Sequence, residues 1–255
     1  MNSSDIRSRI IVALDLPLEE ARKVLHDLVG RVTIVKIGIE AITGGWAHEL
    51  AKEAQEMGFG VFWDTKFFDI PSRVEAAIAA LAPVEPVMVT VHTLGSLSMM
   101  RRAKYAAAKV RLESGGVPKI FGVTLLTSMG RLDLDILGFD LNLVPAGLTP
   151  KEVVAYKAAD LARLADNTGL DGVVSPASAL PIIRHAFPKL QTIVPGVRPD
   201  WALTVGEDQD QITTPREAFG VGANYIVVGR PVVQAHRFGL TPVEAFDRII
   251  KECEE

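Results

Sequence analysis

Apolar residues along the chain fall in short continuous runs that alternate with longer stretches of helical periodicity. The eight short runs are "RIIVALD", "VTIVKIG", "GVFWDTK", "PVMVTVH", "KIFGVTLL", "DGVVS", "QTIVPG" and "NYIVVGR". Runs that stay apolar without strict alternation are typical of strands in a parallel sheet that helices cover. The pattern therefore predicts eight parallel strands.

Helical periodicity predicts a helix after each of these strands, and Gly or Pro marks most of the joints. The predicted helices are 18–28, 45–57, 72–81, 96–112, 151–167, 177–186, 215–221 and 242–253. The least patterned region is 131–149, which follows the fifth strand.

Eight strand–helix units in 255 residues predict the α/β class and a closed (β/α)8 TIM barrel. A doubly wound sheet is the alternative, but it usually has fewer strands, and no GxGxxG follows the first strand here. Since no low-complexity linker divides the chain, we expect one barrel domain over residues 1–255.

Composition and charge narrow the possible function classes. The net charge is −4, and no Lys/Arg cluster offers a surface to nucleic acid. The N-terminus lacks the apolar core of a signal peptide, and no stretch of about 18 apolar residues could span a bilayer. Cys253 is the only cysteine, which excludes a disulfide framework and a thiolate zinc site. We expect a cytoplasmic protein without nucleic-acid or membrane partners.

Polar residues lie at or just after the carboxyl ends of most predicted strands. They are Asp15, Lys36, Asp64, Lys66, His92, Thr127, Ser128, Arg198, Gly229 and Arg230. In a (β/α)8 barrel these strand ends meet at one mouth, where the reacting groups lie. The pattern predicts one site there, although His92 by itself is typical of a structural strand-end residue.

The third strand carries charges in an otherwise apolar run, "VFWDTKFFDIPSRV". Asp64 and Lys66 are two residues apart and so point to the same side of a strand, while Asp69 lies in the following loop. Apolar replacements of a buried ion network are often neutral or stabilising, so the network contributes little to folding. A lysine held cationic among carboxylates can donate a proton to a developing carbanion and stabilise it.

A second polar cluster follows strands seven and eight, in "VPGVRP" and "VVGRP". Barrels of this kind hold phosphate there, and Arg198, Arg230 and the backbone near Gly229 are suitable donors. Residues 198–215 form a long polar loop between the two motifs. We expect this loop to be a lid and the Gln209 amide to be a further phosphate donor.

The motif D-x-K-x-x-D-I-P, from Asp64 to Pro71, resembles the signature of the orotidine 5'-phosphate decarboxylase family. The resemblance extends over about residues 10–235, because the neighbouring motifs follow in the same order. They are "VALD", "VKIG", "VTVHTLG", "GVTLLTS", "GLDGVVSP", "VPGVRP", "DQ…TP" and "VVGRP".

The resemblance implies decarboxylation of orotidine 5'-phosphate to UMP in de novo pyrimidine biosynthesis, by a carboxy-lyase that uses no metal and no organic cofactor. Lys66 would protonate C6, and Asp64 would lie beside the departing carboxylate. Lys36 and Asp69 would complete the alternating network. The implied substrate-binding residues are Asp15 and Lys36 for ribose, Thr127 for the pyrimidine, and Arg198, Gln209, Gly229 and Arg230 for phosphate. In the family Asp69 and Ile70 serve the neighbouring subunit's site, which implies a homodimer.

Three alternatives stay open at this point. A keto-gulonate phosphate decarboxylase or hexulose phosphate synthase shares a similar D-x-K-x-x-D, but binds magnesium partly through an acid at the position of Lys36. A Schiff-base aldolase would use Lys66 or Lys36, although such a lysine needs a depressed pKa. The third alternative is a phosphate-binding barrel without catalytic activity.

Overall fold

The computed structural model describes residues 3–113, 115–140, 144–203 and 212–254. Eight parallel strands pair in sequence order, and β8 pairs with β1 to close a barrel. The strands are β1 Ile10–Ala13, β2 Ile34–Ile37, β3 Gly60–Phe67, β4 Met88–His92, β5 Lys119–Val123, β6 Gly172–Val174, β7 Gln191–Val194 and β8 Tyr225–Val228. This topology confirms the predicted (β/α)8 barrel.

Twelve α-helices lie within the described ranges. They are α1 Ser3–Ser8, α2 Leu18–Leu28, α3 Ile39–Gly44, α4 Ala47–Glu56, α5 Pro71–Ala79, α6 Leu97–Ala107, α7 Arg131–Ile136, α8 Pro150–Asn167, α9 Leu180–Ala186, α10 Pro215–Gly220, α11 Arg230–Val233 and α12 Pro242–Glu254. None of the helices in this described part of the chain is long and apolar enough to cross a membrane.

The strands bury one set of side chains inside the barrel and the alternate set against the helices. Phe62, Met88 and Phe121 belong to the inner cluster. Trp63 and Val89, which are the next residues along β3 and β4, belong to the larger cluster between the barrel and the helices. This alternation follows from the two-residue repeat of a strand, and it determines which side chains reach the mouth of the barrel.

Local capping sets where several helices begin. The Thr149 hydroxyl accepts a hydrogen bond from the Glu152 backbone N–H, and the Glu152 carboxylate accepts one from the Thr149 N–H. Thr214 and Glu217 form the same reciprocal pair at α10. Each pair satisfies two N–H groups that the first helical turn leaves without partners. Helix α10 therefore begins at Pro215, after the loop that follows β7.

Four short helices differ from the sequence predictions. Helices α1 and α3 were not predicted, and α7 lies in the region that showed little pattern. The prediction that Gly229 and Arg230 end the eighth strand is wrong, since β8 ends at Val228 and Arg230 begins α11. Helices of four to six residues are too short to display a 3.6-residue repeat.

Candidate active site

A cavity of about 660 Å³ opens at the carboxyl end of the barrel. Side chains from most of the strands and from the loops after them line it, as the sequence pattern predicted for this end of the fold. Its polar and charged lining residues are Asp15, Lys36, Asp64, Lys66, Thr127, Ser128, Arg198, Arg230 and Gln234. The size suits a small-molecule ligand.

Four charged side chains form a row of alternating sign on one wall of this cavity. The Lys36 Nζ lies 2.8 Å from Asp15 Oδ1 and 3.6 Å from Asp64 Oδ2. The Lys66 Nζ lies 2.8 Å from the same Asp64 Oδ2. The Asp64 carboxylate thus lies between two ammonium groups, and the row ends at Lys66, the more exposed of the two lysines.

Burial and charge act in opposite directions on the two inner members of the row. Burial alone would raise the pKa of Asp64, but the Lys36 and Lys66 charges and the hydrogen bonds to Asp64 outweigh it and lower that pKa. Burial likewise would lower the pKa of Lys36, and the Asp64 and Asp15 carboxylates raise it instead. Both groups therefore stay ionised at neutral pH.

Lys66 lies in an irregular part of β3. Trp63 pairs with Val89 and Phe67 pairs with Val91, so three residues of β3 face the single residue Thr90. Within this bulge Lys66 has a φ of +50°, a left-handed conformation that is uncommon for residues other than glycine. Bulges re-aim side chains near active sites, and here Lys66 and Asp64 both line the cavity.

The absence of a side chain at Gly38 leaves room for the ion pair between Lys36 and Asp15. A Cβ atom at Gly38 would lie 2.6 Å from Asp15 Oδ1 and 2.9 Å from Lys36 Nζ. Since real Cβ atoms do not approach polar atoms so closely, any other residue would push the pair apart. The glycine of "VKIG" was not singled out in the sequence, where it reads as an ordinary strand terminator.

The part of the cavity lining that follows β7 and β8 carries the predicted anion-binding groups. Arg198 is only 5% exposed, lines the cavity, and donates from Nη1 to the Val197 carbonyl at 3.0 Å. Gly229 and Arg230 line the same part of the cavity, where α11 begins. Gln209 lies outside the described residues, as does the rest of 204–211 in the predicted lid.

Asp69 and Ile70 do not line the cavity of their own chain. Both are exposed, Ile70 to 61%, and the Asp69 Oδ1 accepts a hydrogen bond from the Ile70 N–H at 2.6 Å. Among the described residues Asp69 makes no ion pair. The row of charges within one chain therefore consists of Asp15, Lys36, Asp64 and Lys66.

The remaining strand-end residues fall into two groups. Thr127 lines the cavity, whereas His92 lies beside it and its Nδ1 accepts a hydrogen bond from the Leu94 N–H at 3.3 Å. Burial, and then the Lys66 charge, lower the pKa of His92. Gln234 also lines the cavity, but its position after the last strand gave no signal, because α11 is too short to be predicted.

The Lys36→Met variant is expected to lose about 3 kcal/mol of unfolding free energy at pH 7, because it leaves the buried Asp64 with one counter-charge fewer. In the wild type the lowered pKa of Asp64 means that its stabilising effect is present above the ordinary carboxyl range and is lost as pH falls through the folded value. In the variant the Asp64 pKa rises, so the difference from wild type should shrink near pH 4.

Urea unfolding at the two pH values measures this difference. The double variant Lys36→Met/Asp64→Asn is the matched control, because it removes the buried carboxylate charge that the single variant leaves with Lys66 as its one remaining ion-pair partner among the described residues, and it should regain most of the lost stability. Equal losses at both pH values, with no recovery in the double variant, would mean that the network does not hold Asp64 ionised.

Comparisons with known proteins agree with this geometry. The family model described as "Orotidine 5'-phosphate decarboxylase / HUMPS family" matches residues 8–241. A protein of Pseudomonas paraeruginosa named orotidine 5'-phosphate decarboxylase is 40% identical over 252 residues, which cover 98% of this chain and 99% of that protein. A protein of the same name from Pseudomonas putida is 38% identical over 250 residues, 98% of each chain.

Solved structures give the same result. The crystal structure of orotidine 5'-phosphate decarboxylase from Lactobacillus acidophilus is 29% identical, with a TM-score of 0.76, and the match covers 97% of this chain and 100% of that one. The fold and the sequence identity over nearly the whole length agree. This chain belongs to the orotidine 5'-phosphate decarboxylase / HUMPS family.

Proposed function

We propose that this chain decarboxylates orotidine 5'-phosphate to UMP, with the Lys66 ammonium as the proton donor. The bond between C6 and its carboxylate breaks, CO2 leaves, and the electron pair stays on C6. A proton moves from Lys66 Nζ to C6, and the resulting neutral amine recovers a proton from water. The ion pair of Lys66 with Asp64 at the cavity wall, 2.8 Å long, carries this proposal.

The reaction needs a fixed positive charge because the carbanion intermediate cannot delocalise its negative charge. Loss of CO2 from C6 leaves an sp2 carbanion without an adjacent carbonyl to delocalise the pair. An ammonium already aimed at that carbon stabilises the charge as it forms and requires no reorganisation at that moment. Asp64 holds Lys66 in place, and Lys36 keeps Asp64 ionised from the other side.

The other cavity residues bind the parts of the substrate that do not react. Arg198, Arg230 and the Gly229 backbone hold the phosphate, and Thr127 contacts the pyrimidine. Asp15 and Lys36 bind the ribose hydroxyls, which suits the half-exposed Asp15 carboxylate. Binding energy from these remote contacts supports the chemical step, because enzymes use it to position and desolvate the reacting centre.

The position of the Lys36 ammonium argues against the alternative in which this chain is a magnesium-dependent sugar-phosphate enzyme. It lies between the carboxylates of Asp15 and Asp64, and a divalent cation bound between them would have to displace it. The raised pKa of Lys36 is also the opposite of what a Schiff-base lysine requires. Both observations favour decarboxylation through fixed charge.

We propose that the active form is a homodimer in which Asp69 and Ile70 complete the partner's site. The loop after β3 exposes Phe68 to 65% and Ile70 to 61%, and Leu94 and Leu97 beyond β4 are also exposed. Apolar side chains grouped in this way mark an interaction surface. A second copy of the chain would cover this surface and bring an additional carboxylate to the row of charges.

We propose a cytoplasmic location and a single barrel domain over residues 1–255. Cys253 is the only cysteine and is free, which is compatible with a reducing compartment. The eight strands close one barrel with one main apolar layer around it.

The proposed activity is tested by following the ultraviolet absorbance of orotidine 5'-phosphate with the purified chain and EDTA. Conversion to UMP is expected with EDTA present, at an unchanged rate when magnesium is added. The same chain should leave keto-gulonate phosphate unchanged with or without magnesium. Activity that EDTA abolishes and magnesium restores, or turnover of the sugar phosphate alone, would contradict the proposal.

A further inference from the structure

Thr90 is the residue of β4 that lies opposite the bulge in β3. It is fully buried and lies alone opposite the three bulged residues Asp64–Lys66 of β3. Its neighbours Val89 and Val91 pack in the outer apolar layer, so Thr90 faces the barrel interior as Met88 does. A hydroxyl at such a site must find hydrogen-bond partners, because an unsatisfied one is costly.

The Thr90 hydroxyl finds its partners on two members of the charged row. Its Oγ1 donates to Asp64 Oδ1 at 2.9 Å and accepts from the Lys66 backbone N–H at 2.8 Å. Asp64 uses its other oxygen, Oδ2, for the two lysine ammonium groups. One hydroxyl therefore fixes the orientation of the carboxylate and the backbone of the lysine that the carboxylate contacts.

The Lys66 backbone needs such a restraint. A left-handed conformation is strained for a residue with a Cβ atom, and it persists only where neighbouring groups hold it. The hydrogen bond from the Lys66 N–H to Thr90 is a contact of that kind. As a β-branched residue, Thr90 has few χ1 choices, so its hydroxyl is fixed in turn.

We propose that Thr90 is a positioning residue that holds the Lys66 ammonium and the Asp64 carboxylate in register across the bulge of β3. It does not touch the substrate, because it does not line the cavity. Its effect is to keep Nζ aimed at one place. The catalytic consequence rests on the proposed function, whereas the effect on the Lys66 backbone is independent of it.

The test compares Thr90→Val, which keeps the shape and removes the hydroxyl, with Thr90→Ser, which keeps the hydroxyl. Thr90→Val should lower kcat by about 10- to 100-fold, the effect of losing one hydrogen bond to a charged group, and should change KM by less than about threefold. Thr90→Ser should regain most of the lost kcat. Thr192→Val is the matched control. Thr192 lies near the start of β7, is equally buried, and its hydroxyl forms a hydrogen bond with Asn224.

Amide hydrogen exchange at Lys66 gives a readout that does not need turnover. Exchange should accelerate in Thr90→Val and stay near wild type in Thr90→Ser and Thr192→Val. If Thr90→Val fails to fold, Thr90→Cys replaces it, since a thiol of similar size is a weak hydrogen-bonding group; an intermediate loss is then expected.

Two results would overturn the inference: wild-type kcat in Thr90→Val, or equal losses in the valine and serine variants with unchanged exchange at Lys66. An inactive wild-type chain would instead contradict the proposed function, and the exchange comparison would still decide whether Thr90 holds the Lys66 backbone.

Discussion

Lys66→Ala is expected to lower turnover of orotidine 5'-phosphate by about 10⁴-fold or more while the barrel stays folded. In the proposed mechanism the variant removes both the proton donor and the positive charge beside C6, and each effect alone is worth about two to four orders of magnitude. The barrel should stay folded because losing one of the two counter-charges of Asp64 costs about 3 kcal/mol, as for Lys36→Met, which is less than the stability of a typical domain, and the Lys66 side chain is itself 39% exposed. Asp64 also keeps its contact with Lys36.

Steady-state kinetics and thermal unfolding of the same preparation measure both effects. Lys52→Ala is the control, because Lys52 is an exposed lysine on α4 whose contact with Glu56 lies far from the cavity; it should keep wild-type turnover. A Lys66→Ala enzyme that retained a hundredth of the wild-type rate would exclude Lys66 as the proton donor.

Mixing inactive Lys66→Ala and inactive Asp69→Ala subunits is expected to restore activity. If Asp69 serves the partner's site, a heterodimer contains one site with both defects and one site with neither. Random exchange makes about half of the dimers mixed, so about a quarter of all sites should be intact. The reason is structural: Asp69 lies outside the cavity of its own chain, in the exposed apolar loop after β3.

A second mixture controls for restoration by other means. Lys66→Ala and Lys36→Ala subunits both lack a group from the same chain's row, so every site in their heterodimers stays defective and no activity should return. Heterodimers of Lys66→Ala and Asp69→Ala that are verified by mass but remain inactive would contradict the shared site.

The barrel was predictable because its signal is repeated. Eight apolar runs followed by helical periodicity agree on one architecture, and α2 begins and ends at the predicted residues. Short elements carried no such signal: α1, α3, α7 and α11 have too few residues for a period. Arg230 was consequently assigned to the end of a strand, although it begins a helix.

The candidate site was predictable to the extent that it follows from strand ends. Asp15, Lys36, Asp64 and Lys66 end neighbouring strands, and the closure of a parallel barrel brings them to one mouth. Thr90 was not predictable in this way, because threonine is a common strand residue and its role depends on a bulge in the facing strand.

Spacing could not assign Asp69 to a site either. A residue beyond a strand end is free to face its own cavity or another chain, and only the fold shows that its carboxylate lies outside the cavity of its own chain. In the proposed homodimer, the carboxylate that completes the row would come from the partner chain.

The most direct measurement is decarboxylation of orotidine 5'-phosphate by the purified wild-type chain in D2O with EDTA, followed by NMR of the product. An ammonium that protonates C6 exchanges its protons with solvent, so each UMP should carry one deuterium at C6 and one CO2 should be released per UMP. Unchanged orotidine 5'-phosphate after prolonged incubation, or UMP that contains no deuterium at C6, would contradict proton transfer from Lys66 to C6.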